Sequence, residues 1–141
     1  MDHQSESFMD IYRVIVMWLA TVINTLFGSA DGILLTLIIF MSVDYITGVC
    51  AAAVNKQLSS RIGARGLSKK FGILCIVSVA TLIEKYIIDS VAIRDVVILY
   101  YISNEGISIL ENITKLGVPV PKKLKDALSH IADTENSDRK N

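Results

Sequence analysis

The sequence predicts an all-α integral membrane protein with three to four transmembrane helices that forms oligomers. Hydrophobic residues make up 52% of the 141-residue chain, and they are gathered into long stretches with few charges. Spans of about 20 residues match the thickness of the bilayer hydrocarbon at the rise of an α-helix. The chain therefore divides into a polar segment over 1–12, a transmembrane domain over 13–116 and a cytoplasmic tail over 117–141.

Four apolar segments predict the membrane helices, and they lie at 13–29, 33–54, 70–88 and 96–114. The first segment contains Thr21 and Asn24, so it either crosses the bilayer or lies in the interface as an amphipathic helix. Acidic residues precede it where a secretory signal peptide carries bases, which argues against cleavage after this segment. Four crossings would place both termini in the cytoplasm, whereas three crossings with an interfacial first helix would place the N-terminus outside.

The residues between these segments have the chemistry of helix ends. Asp31 can cap the second helix through its side chain. Gly117 and Pro119 end the fourth helix, because glycine suits a C-terminal cap and proline prevents continuation. Pro121 can begin a short amphipathic helix in the tail. The polar sequence from Asp133 onward predicts a disordered end.

Charge is balanced over the whole chain but clustered along it. The 14 basic and 14 acidic residues give no overall bias toward nucleic acid. Two basic clusters flank the apolar segments, one in the predicted loop between the second and third and one after the fourth. They are Lys56, Arg61, Arg65, Lys69 and Lys70, and then Lys115, Lys122, Lys123 and Lys125. The positive-inside rule places both clusters in the cytoplasm, where they can contact anionic lipid headgroups.

The fourth apolar segment contains polar residues at three- and four-residue spacings, which would form one stripe on a helix. The stripe includes Asn104, Glu105, Ser108, Glu111 and Asn112. We expect apolar residues such as Ile102, Ile109 and Ile113 to lie on the opposite face. Such a helix could line water inside a membrane assembly, and these residues are therefore candidates for lining a pore. The alternative is an amphipathic helix on the membrane surface.

Asp44 lies near the middle of the second apolar segment. A charged carboxylate at the bilayer centre costs about 2.5–3.5 kcal/mol, so it needs a partner, water or a proton. Gly48, Ala51 and Ala52 follow on a small-residue surface that allows helices to approach closely. This surface could form the oligomer interface or pack within one subunit. Lys85 could neutralise Asp44 or Glu105 across the bundle, but its depth argues against Asp44, and we favour its extension, with Glu84, to the membrane interface.

The chain has no motif that indicates catalysis, a cofactor or a metal. The two cysteines, Cys50 and Cys75, both lie in apolar segments and are expected to be small buried hydrophobic residues. The glycine- and base-rich stretch over 57–70 lacks the spacing of a phosphate-binding loop and follows no predicted strand. The sequence therefore gives no support for an enzyme.

Three groups of residues resemble the toxin-secretion/phage-lysis holin family, the fourth of the large phage holin groupings. The likeness extends over about residues 35–130. The groups are Asp44-x-x-x-Gly48-x-x-x-Ala52, then Ser59-Ser60 with Gly63, Gly66 and Lys69-Lys70, and finally Asn104-Glu105 through Pro121. The most specific part is Glu105-Gly-x-Ser-Ile-x-Glu-Asn112, which is followed by Leu-Gly-x-Pro-x-Pro.

This resemblance implies a small phage protein that oligomerises in the bacterial cytoplasmic membrane and opens lesions there. Its cargo would be an endolysin or, in some members, a toxin, and an antiholin would be a further partner. Other interpretations are that the chain is itself an antiholin, which regulates such a pore, or a small ion or proton channel.

Overall fold

The chain forms five α-helices in the computed structural model, which describes residues 3–88 and 92–137. The helices are α1 (His3–Phe27), α2 (Gly32–Val54), α3 (Ser60–Tyr86), α4 (Ile93–Lys115) and α5 (Lys122–Ser137). No strand occurs within the described ranges, which confirms the prediction of an all-helical fold.

Three helices in the described part of the chain are long and apolar enough to cross a membrane. These stretches are Phe8–Phe27, Gly32–Val54 and Ser60–Tyr86. They correspond to the first three predicted segments, whereas the three-crossing alternative placed the first segment in the interface and had the second, third and fourth cross the bilayer. The fourth predicted segment is helical in α4 but does not reach the same hydropathy, because polar residues recur along it.

Side-chain caps and glycines define the ends of the helices. Asp31 caps α2 by accepting a hydrogen bond from the Leu34 N–H at 3.0 Å, as the sequence predicts. Ser59 caps α3 in the same way through the Ile62 N–H at 3.3 Å. Gly117 follows α4 with φ of 85°, a conformation that glycine adopts without the strain a side chain would cause.

The core lies between α2, α3 and α4. Its buried apolar side chains are Leu37, Met41, Ile73, Val77, Ile98 and Ile102. Helices α2 and α4 run parallel, since Asp31 pairs with Arg94 at their first turns and Asn112 reaches Asp44 further along. Helix α3 runs antiparallel to both. Helix α1 packs outside this core against α3, and α5 folds back against α4.

Three helix boundaries differ from those expected from the sequence. Helix α1 begins at His3, within the polar segment over 1–12. Helix α3 begins at Ser60, so the basic residues from Arg61 onward are helical and do not lie in a loop. Helix α5 continues to Ser137, beyond the expected start of disorder, and 138–141 lie outside the described residues. None of these stretches contains a proline that would interrupt a helix.

Much of the apolar surface is on the outside of the bundle. From Phe8 to Leu19, the side chains of α1 are exposed, and Trp18 retains 64% of its accessible surface. Cys50 and Cys75 are exposed as well, so the expectation that they are buried is wrong. Cys50 and Cys75 lie on helices with the composition of membrane spans. Apolar side chains on the outer surface of such helices contact lipid instead of other side chains, which explains why these two are exposed.

Candidate functional site

Three charged side chains from three helices meet at the centre of the bundle. Lys70 of α3 lies between Asp44 of α2 and Glu105 of α4, with its Nζ 2.5 Å from Asp44 Oδ2 and also bonded to Glu105 Oε2. The side chains of Lys70, Asp44 and Glu105 are 9%, 12% and 0% exposed. We call these three residues the charge cluster. It supplies the partner that a carboxylate at this depth requires.

Asn112 connects the charge cluster to the next turn of α2. Its Nδ2 donates to Asp44 Oδ1 at 3.2 Å and to Thr47 Oγ1 at 3.3 Å. Gly48 lies beside this amide, and a Cβ at position 48 would lie 3.4 Å from the same nitrogen. A small residue is therefore used here for contact between two helices of one subunit, which is one of the two alternatives left open by the sequence.

One oxygen of the charge cluster has no hydrogen-bond partner among the described residues. It is Glu105 Oε1, which is fully buried. Besides Lys70, the ammonium of Lys69 lies near this oxygen, 3.8 Å away on a side chain that is 61% exposed. The second oxygen of Glu105 therefore depends on a weaker electrostatic contact at the edge of the bundle.

The spacing along α4 explains why Glu105 and Asn112 are buried. The buried residues Ile98, Ile102, Glu105, Ile109 and Asn112 alternate at four- and three-residue intervals, the pattern of a seam between packed helices. Glu105 and Asn112 thus share a face with Ile102 and Ile109, and the expectation that they lie on opposite faces is wrong. The polar residues of α4 form two groups, one buried against α2 and α3 and the other near the surface.

The other residues predicted for this site lie around the charge cluster. Asn104 and Ser108 are half-buried, and Glu111 is exposed. Ala51 is buried in the bundle, and Ala52 is half-buried. Four of the five residues assigned to the first basic cluster are exposed, namely Lys56, Arg61, Arg65 and Lys69. The fifth, Lys70, is instead the central cation of the charge cluster.

A cavity of about 460 Å³ leads from the charge cluster toward the end of the bundle where α2 connects to α3. Its lining includes Asp44 and Lys70 at the inner end and Arg65 and Lys115 nearer the connection. The Tyr45 ring lies against Gly66, where a Cβ would come within 3.3 Å of it. The cavity brings together bases from the two clusters that the sequence places in the cytoplasm.

A second polar cluster holds the opposite end of the bundle. The Arg94 guanidinium donates to the Phe27 carbonyl at 2.7 Å, to the Ser29 carbonyl at 2.9 Å and to Asp31 Oδ2 at 2.7 Å. Glu84 accepts a hydrogen bond from the Arg94 N–H at 2.7 Å and so caps the start of α4. The hydrogen bond from Arg94, followed by that from the backbone of Leu34, lowers the pKa of Asp31.

The sequence interpretation missed Lys70 and Arg94 as partners of buried groups. Lys70 is the last base before the apolar part of α3, and this position was the signal that it could reach into the bundle. Lys85, the partner considered for Asp44, instead lies 5.4 Å from the centre of the Tyr86 ring. No local pattern identified the contacts of Arg94 with Phe27, Ser29 and Asp31, because these residues are 63 to 67 positions away along the chain.

Three helices are long and apolar enough to cross a membrane, and two of them, α2 and α3, enclose the charge cluster together with α4, which indicates a small helical membrane protein. The sequence model of the bacteriophage holin family matches residues 21–133, so the chain belongs to that family. It is 33% identical to a probable holin of Bacillus phage phi105, over 81% of this chain and 83% of that protein.

Two further relatives are bacterial proteins without an assigned role. An uncharacterised 14.9 kDa protein from the nagH 3′ region of Clostridium perfringens is 39% identical, over 89% of this chain and 96% of the relative. An uncharacterised protein of Listeria innocua is 36% identical, over 91% of both chains. No solved structure matches the chain.

Proposed function

We propose that this protein is a holin that oligomerises in the bacterial cytoplasmic membrane and forms lesions through which an endolysin, or a toxin, leaves the cell. The observation that carries this proposal is the position of α4 and α5. Helix α4 lies beside α2 from Arg94 to Asn112, and α5 packs against the middle of α4 where Leu128 meets Gly106. Polar helices are thus held at the depth of three apolar helices.

This arrangement is unfavourable for a single subunit surrounded by lipid. Exposed polar side chains such as Glu111 on α4 and Lys125 on α5 need water, and charged groups at bilayer depth are found facing cavities or bundle interiors. Oligomerisation with the α4–α5 side turned inward gives these residues water and leaves the apolar surfaces of α1, α2 and α3 in lipid. The inward side would then line the lesion.

The charge cluster fits the closed state of such an assembly. While Lys70 pairs with Asp44 and Glu105, and Lys69 lies near the remaining oxygen of Glu105, the charges of the cluster are balanced without water and the helices pack closely. Opening would hydrate Asp44, Glu105 and Asn112 and add them to the lining formed by Asn104, Ser108 and Glu111. Small residues of α2 are proposed to pack between subunits in that state. They are Ala52 and also Gly48 and Ala51, which have contacts within their own subunit as well.

Release from liposomes tests this proposal. We expect purified protein reconstituted above a threshold density to release both a small dye and a folded enzyme of endolysin size. Glu105→Leu should insert normally and release less, because the lining loses the group that holds water most strongly. Release of ions alone would instead indicate a channel, and no release, with inhibition of a second holin, would indicate an antiholin.

Labelling of introduced cysteines tests which residues line the lesion. Glu105→Cys should react with a small water-soluble thiol reagent faster after triggering than before it, because the charge cluster is buried in the closed state. Glu111→Cys, at an exposed position of the same helix, is the matched control and should react in both states. Cys50 and Cys75 are replaced by Ser in these variants. Equal rates at position 105 before and after triggering would contradict a pore-lining role.

A further inference from the structure

We propose that the cavity between α2, α3 and α4 binds the phosphate of an anionic lipid headgroup. The cavity measures about 460 Å³, which lies within the range of about 300–1,000 Å³ that small-molecule sites occupy. It contains the basic residues Arg65, Lys69, Lys70 and Lys115 and the single carboxylate of Asp44. This proposal requires only that the protein lies in a membrane and does not depend on pore formation.

The charges in the cavity leave two cations for a ligand. Lys70 is neutralised by Asp44 and Glu105, and Lys69 lies 3.8 Å from the remaining oxygen of Glu105. Within the described part of the chain, no carboxylate lies within ion-pair distance of Arg65 or Lys115. These two bases come from different helices and face one cavity. An anion between them would receive the charge-assisted hydrogen bonds that phosphate groups accept from arginine and lysine.

The shape of the cavity also fits a headgroup. The Tyr45 side chain packs against Gly63 and Gly66 of α3, where the absence of a Cβ leaves room for it, and it forms one wall of the cavity. Val49 and Ile62 add apolar lining, which suits the carbon atoms of a glycerol backbone.

The depth of the cavity favours a lipid over a free phosphate compound as the source of the anion. The lining includes Asn55 and Gln57, at the end of α2 and in the connection that follows it. This connection joins two helices with the length and composition of membrane spans, so the cavity opens where the apolar parts of these helices end. Basic pockets between helices at the cytoplasmic surface are known sites for phosphate-containing headgroups.

Lipid retention provides the test. Full-length protein is reconstituted in phosphatidylcholine vesicles containing phosphatidylglycerol and extracted in mild detergent, and the phosphatidylglycerol retained per subunit is measured by native mass spectrometry. We expect Arg65→Gln combined with Lys115→Gln to weaken retention by about tenfold, the effect of losing charge-assisted hydrogen bonds. Arg65→Gln alone should give an intermediate value.

The matched control is Arg61→Gln, which removes the same charge one helical turn away on α3 and does not line the cavity. It should retain phosphatidylglycerol as the unmodified protein does. Equal losses in Arg61→Gln and Arg65→Gln would overturn the proposal, because they would indicate general attraction to a basic surface. Equal retention of phosphatidylcholine and phosphatidylglycerol would overturn it as well.

A second arm identifies the source of the phosphate. Inorganic phosphate and glycerol phosphate are added at millimolar concentration to protein loaded with phosphatidylglycerol. Continued retention would support a lipid site, and displacement would overturn the assignment to lipid in favour of a free phosphate compound. These measurements record binding and not permeability, so their failure is distinguishable from failure of the proposed pore.

Discussion

Replacing Lys70 by Met tests whether the charge cluster stabilises the bundle. The substitution removes the cation that pairs with both Asp44 and Glu105, while methionine retains most of the apolar stem. Removing one partner of a buried ion pair costs about 3–5 kcal/mol, because a buried charge is left uncompensated. We expect a loss of this size for Lys70→Met, since Glu105 is fully buried and Asp44 is nearly so.

Lys69→Met is the matched control for this prediction. It makes the same chemical change at the adjacent residue, but the Lys69 side chain is 61% exposed and its ammonium lies 3.8 Å from Glu105. Exposed ion pairs contribute about 0–1 kcal/mol, so the control should unfold close to the unmodified protein. Unfolding free energies are measured by titration with a denaturing detergent in mixed micelles, followed by circular dichroism.

A compensated variant separates charge from shape. Asp44→Asn and Glu105→Gln in the Lys70→Met background remove both unpaired carboxylates, so that no uncompensated charge remains buried in the bundle. This triple variant should recover most of the lost stability. The reasoning would be refuted if Lys70→Met and Lys69→Met were equally stable, or if the triple variant were no more stable than Lys70→Met alone.

Two further predictions concern other contacts of the bundle. Gly106→Ala should loosen α5 and increase tryptic cleavage within it, because a Cβ at position 106 would lie 2.9 Å from a Leu128 methyl group. Gly72→Ala is the control, since a Cβ at position 72 would have no atom within 4 Å. This control should gain about 0.5–1 kcal/mol of stability. Asp31→Ala should cost about 0.5–2 kcal/mol at neutral pH through the lost cap. Since Arg94 lowers the pKa of Asp31 in the folded protein, this difference should shrink progressively as the pH falls from about 4 through that lowered pKa. A constant difference down to about pH 2 would contradict this prediction.

The helices could be predicted from the sequence because their signals are local. The apolar segments, the cap at Asp31 and the termination at Gly117 each depend on a few neighbouring residues, and the structure agrees with them. The start of α3 was missed because its basic first turns resemble a loop in composition. The cap at Ser59 was present in the sequence as a signal for helix initiation, and it outweighs the two glycines that follow.

The contacts that form the site could not be predicted in the same way. Lys70 pairs with residues 26 and 35 positions away. From the sequence, any base near the end of an apolar segment was an equally plausible ion-pair partner for Asp44. In α4, polar and apolar residues both recur at helical spacing, so the sequence supports more than one division into faces. Which residues face the core depends on the packing of α2 and α3 against α4, and that information is not contained in α4 alone.

The charge cluster also connects membrane insertion with the polarity of α4. Asp44 on α2 can be paired by Lys70 as soon as α2 and α3 form a hairpin, which reduces the cost of holding that carboxylate at bilayer depth. Helix α4 then adds Glu105 to the same cation and Asn112 to the same carboxylate. Because two carboxylates share one buried ammonium, the cluster retains a negative charge that the partly exposed Lys69 balances from the edge. A site of this kind is stable while the helices exclude water and is readily hydrated when they separate, as opening of the proposed lesion requires.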